Sequence, residues 1–534
     1  MNLAGNSQSG METLSSFLLT HGLLHGQQPM LTTLIIPLLS TLVLLLLYLC
    51  RNKQSGSEKK RSPCPLGLPI IDSLHQVGSL PHRSLAHLAK IYGPLMHLKL
   101  GRVPTLVVSS PKMAEHVMKA YDHAFCSRPI LAATNYLTYG STNVSFAPYG
   151  SYWRHVRKTC ILVLLSSKRV QSFGFVRKEE VGHLVDSIFV SSKAKAPVNL
   201  TEAFLSLSNN VVCRVALGKS YWEEEPELRG IFESSKSLIG GFFVGDFFPS
   251  LEWVKYLTGF QRRLEKSFRH RDSFLEKVIT EHLLPTHGKE EEEEKEEKDL
   301  VDVLLQLQKE GNPDFTLSTD NIKAVVMDII AAGTDTTATT LVWGMSVLMK
   351  NQLAMKKAKD EVRSIAKSNN TNMIEERDLH QLHYLKAVVK EILRLHPPTP
   401  LLVPHESVEE CDIEGYFIPS KTRVLVNAWA IGRHPDYWVD PEVFRPERFI
   451  GSDIDYKGQD FALIPFGAGR RGCPGISFAA SVIELALANL LLCFDWALPN
   501  GMNHKDLDMT EDSGLTVHKK TPLLLVATLP STSC

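Results

Sequence analysis

One ten-residue stretch restricts this chain more than any other: Phe466-Gly467-Ala468-Gly469-Arg470-Arg471-Gly472-Cys473-Pro474-Gly475. Its glycines let the backbone turn sharply and bring N–H groups towards a single sulfur, while Arg470 and Arg471 supply positive charge. Both effects favour thiolate over thiol and mark Cys473 as a metal-ligating residue. Pro474 suits the first position of a helix, and the apolar run Ile476 to Phe494 sets the sulfur at a positive helix end. An isolated cysteine before a helix is also a common buried structural residue. A zinc site lacks a second Cys or His within two to four residues. Gly467, Gly469 and Gly472 spell G-x-G-x-x-G after Phe461 to Ile464, but Pro465 interrupts the strand and no βαβ continuation follows.

A chain of 534 residues with 44% hydrophobic content can bury a sizeable core. Lys plus Arg and Asp plus Glu both number 58, so net charge gives no argument for nucleic acid or an acidic partner. The nine cysteines are odd in number and unpatterned, which speaks against a disulfide framework and for reducing surroundings.

Leu31 to Cys50 carries no charge across twenty residues, enough to span roughly 30 Å of hydrocarbon as a helix. No Lys or Arg precedes Arg51, whereas Arg51, Lys53, Lys59, Lys60 and Arg61 follow at once, so the positive-inside rule puts the rest in the cytosol. A cleaved signal peptide would carry a basic n-region and a small-residue cleavage site, which are not evident here. The expected organisation is an N-terminal extension over 1–30, a single transmembrane anchor over 31–50, a basic and proline-rich hinge over 51–69, and a catalytic domain over 70–534. Met1, Met11 and Met30 are all available as starts.

Beyond the hinge, Leu95 to Leu100 and Pro104 to Ser109 read as a hairpin around Gly101. Phe125 to Tyr149, rich in Pro, Gly, Asn, Ser and aromatics, reads as a long loop. Trp153 and Arg157 lie four apart on a predicted helix and share a face. Residues 165 to 285 alternate amphipathic stretches with loops, and Lys289 to Asp299 is a self-repelling, solvated charge run. Asp320 to Lys350 reads as one long helix, with Ile322, Val325, Val326, Ile329, Ile330 and Gly333 on one face. Thr336, Thr337 and Thr340 continue that face, and a threonine there can bond back to the carbonyl four residues earlier. Lys386 to His396 is a further amphipathic helix carrying Glu391 and Arg394, ordinarily a surface ion pair. Pro397 to Pro400 ends it, Leu401 to Val403 is expected to be extended, and Lys421 to Asn427 reads as a strand.

The pattern F-x-x-G-x-R-x-C-x-G resembles the haem-binding loop of the cytochrome P-450 superfamily. The chain is similar to that family from about Pro63 to Leu529. The phrases Tyr92-Gly93-Pro94, Phe125-Cys126-Ser127-Arg128-Pro129 and Asp460 to Phe466 resemble its largest clan of plant microsomal members. The resemblance implies a mainly α fold with small β-sheets, holding haem b between the long central helix and the cysteine loop. It implies Cys473 as axial ligand, Phe466 as aromatic neighbour of the sulfur, and Arg471, Trp153, Arg157 and His405 as propionate partners. Ala332 to Thr337 matches the oxygen-activation motif: Gly333 would clear space beside the helix, Thr336 would donate a hydrogen bond to bound dioxygen, and Asp335 would feed the proton relay. Glu391, Arg394 and Arg448 match the buried triad that holds the cysteine loop. Thr399, Leu401, Val403, Ile329 and Leu515 would face substrate, the last from a turn over Asp512 to Leu515, and two substrate-covering helices would fall between about Leu200 and Pro249.

The implied activity is a monooxygenase that inserts one oxygen atom from O2 into a small hydrophobic plant metabolite, a terpenoid, phenylpropanoid or alkaloid. The chain shows no flavin module. Electrons from NADPH would therefore come through a separate reductase, with cytochrome b5 as an additional donor, docking near Arg470. The expected location is the endoplasmic reticulum membrane, and no nucleic-acid partner is implied. Two alternatives would use the same cysteine: a haem-thiolate isomerase or dehydratase, and a non-catalytic haem sensor.

Overall fold

The computed structural model describes residues 40–42, 60, 62–284, 298–311 and 316–530. The expected anchor lies outside these apart from Ser40 to Leu42, as does the charge run apart from Lys298 and Asp299. The chain divides into two units, residues 1–60 with 68–70 and residues 61–67 with 71–534. The elements below belong to the second.

The helices that position the site are α1 (Pro81–Tyr92), α2 (Ala132–Leu137), α3 (Ser151–Cys160), α4 (Gly174–Lys193), α5 (Leu200–Leu217), α6 (Pro226–Ile239), α7 (Phe260–Leu283), α8 (Leu300–Glu310), α9 (Thr319–Lys350), α10 (Gln352–Ser368), α11 (His383–Leu395) and α12 (Ile476–Cys493). Helix α9, at 32 residues, is about 48 Å long. It starts on a capping box: Ser318 Oγ accepts from the Asn321 N–H at 3.1 Å, and Asn321 Oδ1 accepts from the Ser318 N–H at 3.0 Å. From Thr337 to Met349 every residue is buried, because α5, α10, α11 and α12 pack around it. Among the described residues, α9 and α12 are long and apolar enough to cross a membrane, yet both are core helices, 61% buried over their most apolar stretch.

Strands β1 (Leu95–Leu100) and β2 (Val103–Val108) form the expected hairpin, in register Leu95↔Val108 to Leu100↔Val103. Gly101 turns it at φ +64°, and a Cβ there would lie 2.7 Å from the Phe247 carbonyl. A short strand β3 (Pro197–Asn199) precedes α5, and β4 (His405–Glu406), the hairpin of β5 (Cys411–Ile413) with β6 (Tyr416–Ile418), and β7 (Arg423–Val426) follow α11. The order β1-β2-β7-β4 makes one four-stranded sheet, with β2 and β7 parallel. Near the C-terminus come β8 (Asp495–Ala497), β9 (Glu511–Asp512), β10 (His518–Lys519) and β11 (Leu524–Thr528), with β11 between β3 and β8, and β9 paired to β10.

Two expectations change. The Phe125 to Tyr149 loop contains α2, whose Ala133 and Leu137 bury against Leu238, Phe243, Phe260 and Leu264. Two inward apolar residues four apart, met by apolar residues of α6 and α7, hold one and a half turns of helix that propensity alone would not. The segment after α11 is a turn and not extended: the Leu402 N–H donates to Thr399 O at 3.0 Å, and Leu402 sits at φ +53°. Within the expected hinge, Pro63 is tied to β1, its carbonyl accepting from the His97 N–H at 2.9 Å.

Candidate functional site

Cys473 opens onto a deep cavity whose walls come from distant parts of the chain. Its loop is braced from within, because the Cys473 N–H donates to Phe466 O at 2.9 Å and the Gly475 N–H points at Sγ from 3.4 Å. Gly475, not Pro474, is the N-cap of α12, so the helix begins beyond the proline, and the N–H of the N-cap residue reaches the sulfur. The expectation that local cations ionise the thiol is met only in part. Burial pushes the Cys473 thiol up, and the Gly475 N–H and Arg157 pull against it without prevailing. Arg470 points outward to Asp122 at 3.1 Å, and Arg471 turns away to carbonyls.

Three guanidiniums mark the cavity wall: those of buried Arg128 and Arg471 and of half-buried Arg157. Arg128 Nη1 donates to Val403 O at 2.6 Å and Pro404 O at 2.9 Å, and its Nε donates to Ser145 O at 3.1 Å. Arg471 Nε donates to Cys126 O and its Nη2 to Ala147 O, both at 2.7 Å, with the guanidinium 3.9 Å over the Trp153 ring. Arg157, on α3, donates to Gly472 O. Burial pushes all three guanidiniums down, Arg471 to about 9, and Arg471 and Arg157 add repulsion at Arg128. Their hydrogen bonds go to backbone carbonyls, so among the described residues no carboxylate is bound to any of the three and the wall carries concentrated positive charge.

Among the expected propionate partners, Arg471, Arg157 and His405 line the cavity, whereas Trp153 stands behind the wall with Nε1 donating to Val144 O at 2.9 Å. His405 bonds Phe125 O through Nδ1 at 2.8 Å. A carbonyl only accepts, so the proton is on Nδ1 and the neutral ring presents a bare Nε2. Burial, reinforced by Arg128, pushes the imidazolium well down. Arg128 is therefore the better anion donor on this wall. Sequence reading passed over it because a single arginine in an aperiodic loop carries no local signal beyond the phrase Phe125 to Pro129.

Helix α9 supplies the opposite wall with Asp328, Ile329, Ala332, Gly333, Thr336 and Thr337. Thr336 Oγ1 donates to Ala332 O at 2.8 Å, so its hydroxyl proton is engaged along the helix and its lone pairs remain for the cavity. The expected donation to bound dioxygen would require this hydroxyl to turn from Ala332 O into the cavity. Asp335 does not line the cavity. Burial pushes its carboxyl up, but His518 and Thr516 outweigh burial and the net direction is down. Asp328, missed in the sequence as one acid in an apolar run, accepts from the Ser145 N–H at 2.9 Å and ties α9 to the loop after α2. Burial pushes the Asp328 carboxyl up.

The expected substrate contacts divide. Thr399, Val403 and Ile329 line the cavity, but Leu401 packs with the sheet-side cluster around Leu85 and Met96, and Leu402 takes the wall instead. The left-handed backbone at Leu402 exchanges the two side chains. Leu515 is also displaced, because its turn packs on the end of α6, where a Cβ on Gly240 would meet Gly514 Cα at 3.0 Å and Leu515 N at 3.1 Å. Of the stretch Leu200 to Pro249, only Val212 and Val215 of α5 reach the wall.

Glu391, Arg394 and Arg448 do meet. Glu391 Oε2 accepts from Arg394 Nε at 2.7 Å, and Oε1 accepts from Arg448 Nε at 3.1 Å and from the Arg445 N–H at 2.8 Å. The side chains of Glu391 and Arg394 are fully buried. Their remaining bonds go to Gly432, Val439, Asp440, Pro441 and Val443, so the cluster fastens α11 to the chain before the cysteine loop. The loop itself is held by Arg157, Arg471 and the Arg470–Asp122 pair.

The sequence profile described as Cytochrome P450 matches residues 62–526. The chain belongs to the cytochrome P450 family. Cytochrome P450 71AP13 of Prunus mume is 50% identical over 492 residues, covering 91% of this chain and 94% of that protein. Strychnine-11-hydroxylase of Strychnos nux-vomica is 49% identical over 482 residues, covering 89% and 93%. These relatives place this cytochrome P450 in the plant clan anticipated from its sequence phrases. A zebrafish cytochrome P450 solved with abiraterone superposes with a TM-score of 0.70 at 26% identity, covering 84% of this chain and all of that one. Membership makes the protein an oxidoreductase of a haem- and dioxygen-using family, and its plant relatives are monooxygenases of specialised metabolites.

Proposed function

We propose that this cytochrome P450 is a monooxygenase that hydroxylates or epoxidises a small hydrophobic plant metabolite, with Cys473 as the haem ligand. The observation that carries this reading is that Cys473 and the α9 residues Gly333 and Thr336 line the same cavity, beside a wall of cations. The donor set fits haem b: a thiol below, an apolar slot, and guanidiniums on the flank suited to two propionates. Arg128, Arg471 and Arg157 would hold the propionates, and Phe466 would pack beside the sulfur-bound face. Bound there, haem supplies a thiolate-ligated iron that activates dioxygen.

The chain's own groups do the rest. Thr336, its proton fixed on Ala332 O, accepts a hydrogen bond from a protonated oxygen in the cavity and so orients it. Asp335, one residue away and partly exposed, passes protons inward from solvent. Val212, Val215, Ile329, Leu402 and Val403 exclude water and favour an apolar substrate, with Thr399 as a polar contact. One atom of O2 enters the substrate and the other leaves as water, consuming two protons and two electrons. The electrons come from NADPH through a separate flavoprotein reductase docking near exposed Arg470. The uncharged Leu31 to Cys50 run and the cations after it support a single-pass anchor in the endoplasmic reticulum membrane.

The test is reconstitution with a reductase and a panel of terpenoid, phenolic and alkaloid substrates. Turnover should require both NADPH and O2, and the reduced carbon monoxide complex should show the red-shifted Soret band of thiolate ligation. Cys473→Ala should lose that band and turnover together. Product formation without NADPH would point instead to an isomerase or dehydratase.

A further inference from the structure

Asn143 to Ala147 form an irregular stretch, buried except for half-buried Ser145, so their peptide groups need partners inside the protein. The peptide joining Val144 to Ser145 is held at both ends. Its N–H donates to Asp328 Oδ2 of α9 at 2.9 Å, and its carbonyl accepts from Trp153 Nε1 at 2.9 Å, with Arg471 Nη1 3.5 Å away. The next peptide meets the same wall: Ser145 O accepts from Arg128 Nε at 3.1 Å, while the Phe146 N–H donates back to Asn143 Oδ1 at 3.1 Å. Ala147 O accepts from Arg471 Nη2 at 2.7 Å. A trans peptide is planar with N–H and C=O opposed, so an acid on the N–H side aims the carbonyl at the cations on the other. Among the described residues Asp328 is the only carboxylate lining the cavity, and its charge favours the Arg128 guanidinium.

We propose that Asp328 is a positioning residue for the guanidiniums of Arg471 and Arg128, acting through the Val144–Ser145 peptide and so setting how the cation wall receives two propionates. This rests on the reading of those arginines as propionate partners. A negative charge at the N–H end polarises the peptide and makes Val144 O the stronger acceptor for Trp153 and Arg471. Trp153 in turn lies under the Arg471 guanidinium at 3.9 Å, so the same peptide fixes the ring on which that cation rests. Arg128 spends Nε and Nη1 on carbonyls, which leaves Nη2 without a protein partner among the described residues and open to a ligand. Burial pushes the Asp328 carboxyl up, opposed by the Ser145 hydroxyl and N–H, the Val144 N–H and the Asn143 side chain. The acid is thus turned towards the loop by donors, and the loop carries its influence to the far wall.

The test uses the full chain, haem-loaded and without substrate. Three quantities are read: the resonance Raman bending band of the haem propionates, the rate at which haem passes to excess apomyoglobin, and the denaturant midpoint. Arg128→Gln serves as reference and should shift the propionate band. Asp328→Ala leaves the Ser145 N–H without its acceptor, and should shift the band in the same direction and speed haem transfer about tenfold. Asp328→Asn keeps an acceptor for that N–H but no charge, and should give a smaller shift and transfer about threefold faster. Should Asp328→Ala fail to load haem, the asparagine variant carries the test. A lowered denaturant midpoint with wild-type propionate band and transfer rate would make Asp328 a helix-to-loop tie only and overturn the proposal. If Arg128→Gln itself left the band unmoved, the propionate reading would fail first, and the role of Asp328 with it.

Discussion

Val212 of α5 occupies the space that a side chain on Gly333 would need: a Cβ built on Gly333 would lie 2.7 Å from Val212 Cγ2. The glycine in the oxygen-side turn therefore serves helix packing as well as clearance in the cavity, since both residues also line the wall. Asn209 of α5 adds a buried bond to Thr334 Oγ1 at 3.2 Å beside it.

Gly333→Ala should accordingly destabilise the protein, although alanine is the better helix former by about 1 kcal/mol. Val212 is β-branched and stiff, so overpacking of about 1–3 kcal/mol should outweigh the propensity gain. Adding Val212→Ala should recover part of the loss. Denaturant unfolding of the single and double variants checks this, and equal stability of the wild type and Gly333→Ala would contradict the packing role.

Removing the Glu391 carboxylate should be among the most damaging single changes in the chain. Glu391→Gln leaves the buried Arg394 and its partner Arg448 without their counter-charge, at a cost of about 3–5 kcal/mol. The expected result is poor folding and little haem incorporation, read as Soret absorbance per protein. Because the cluster bonds the chain before the cysteine loop, any protein that does load haem should keep the thiolate band.

Thr336→Ala removes the oriented acceptor while leaving the cavity intact. Product per NADPH should fall by about tenfold or more, with hydrogen peroxide released in its place. Thr336→Ser keeps a hydroxyl that can bond Ala332 O and should retain most of the coupling. Simultaneous assays of NADPH, product and peroxide decide between these outcomes.

Glu484 on α12 predicts a pH dependence of stability unrelated to catalysis. Burial, opposed by Lys386 and reinforced by Asp455, pushes its carboxyl up to about 7. An acid with a raised native value binds its proton more tightly when folded, so this contribution is favourable at low pH and is lost as pH rises from about 4.5 to about 7. The loss is about 3 kcal/mol at most. Glu484→Gln should flatten that part of the stability profile and be more stable than wild type at pH 8, as measured by denaturant midpoints across pH.

The chemistry-bearing positions were legible because each sits in a local pattern. The cysteine loop is written in consecutive residues, Gly333 and Thr336 fall on one helical face, and Glu391 and Arg394 are one turn apart. The extent of α9 followed from its 3.6-residue periodicity, which records which face is buried. What only the tertiary structure decided involves residues far apart or a single backbone torsion. Arg128 meets Val403 across 275 positions. One left-handed residue put Leu402 in the wall in place of Leu401, and the proton of Thr336 turned along the helix. His518 came to Asp335 because β10 docks along α9. Periodicity encodes the direction of the local chain and its apolar side. Long-range pairing, side-chain exchange at a turn and the direction of a hydroxyl are settled by how elements pack, and that information is spread over the whole sequence rather than held at any one place in it.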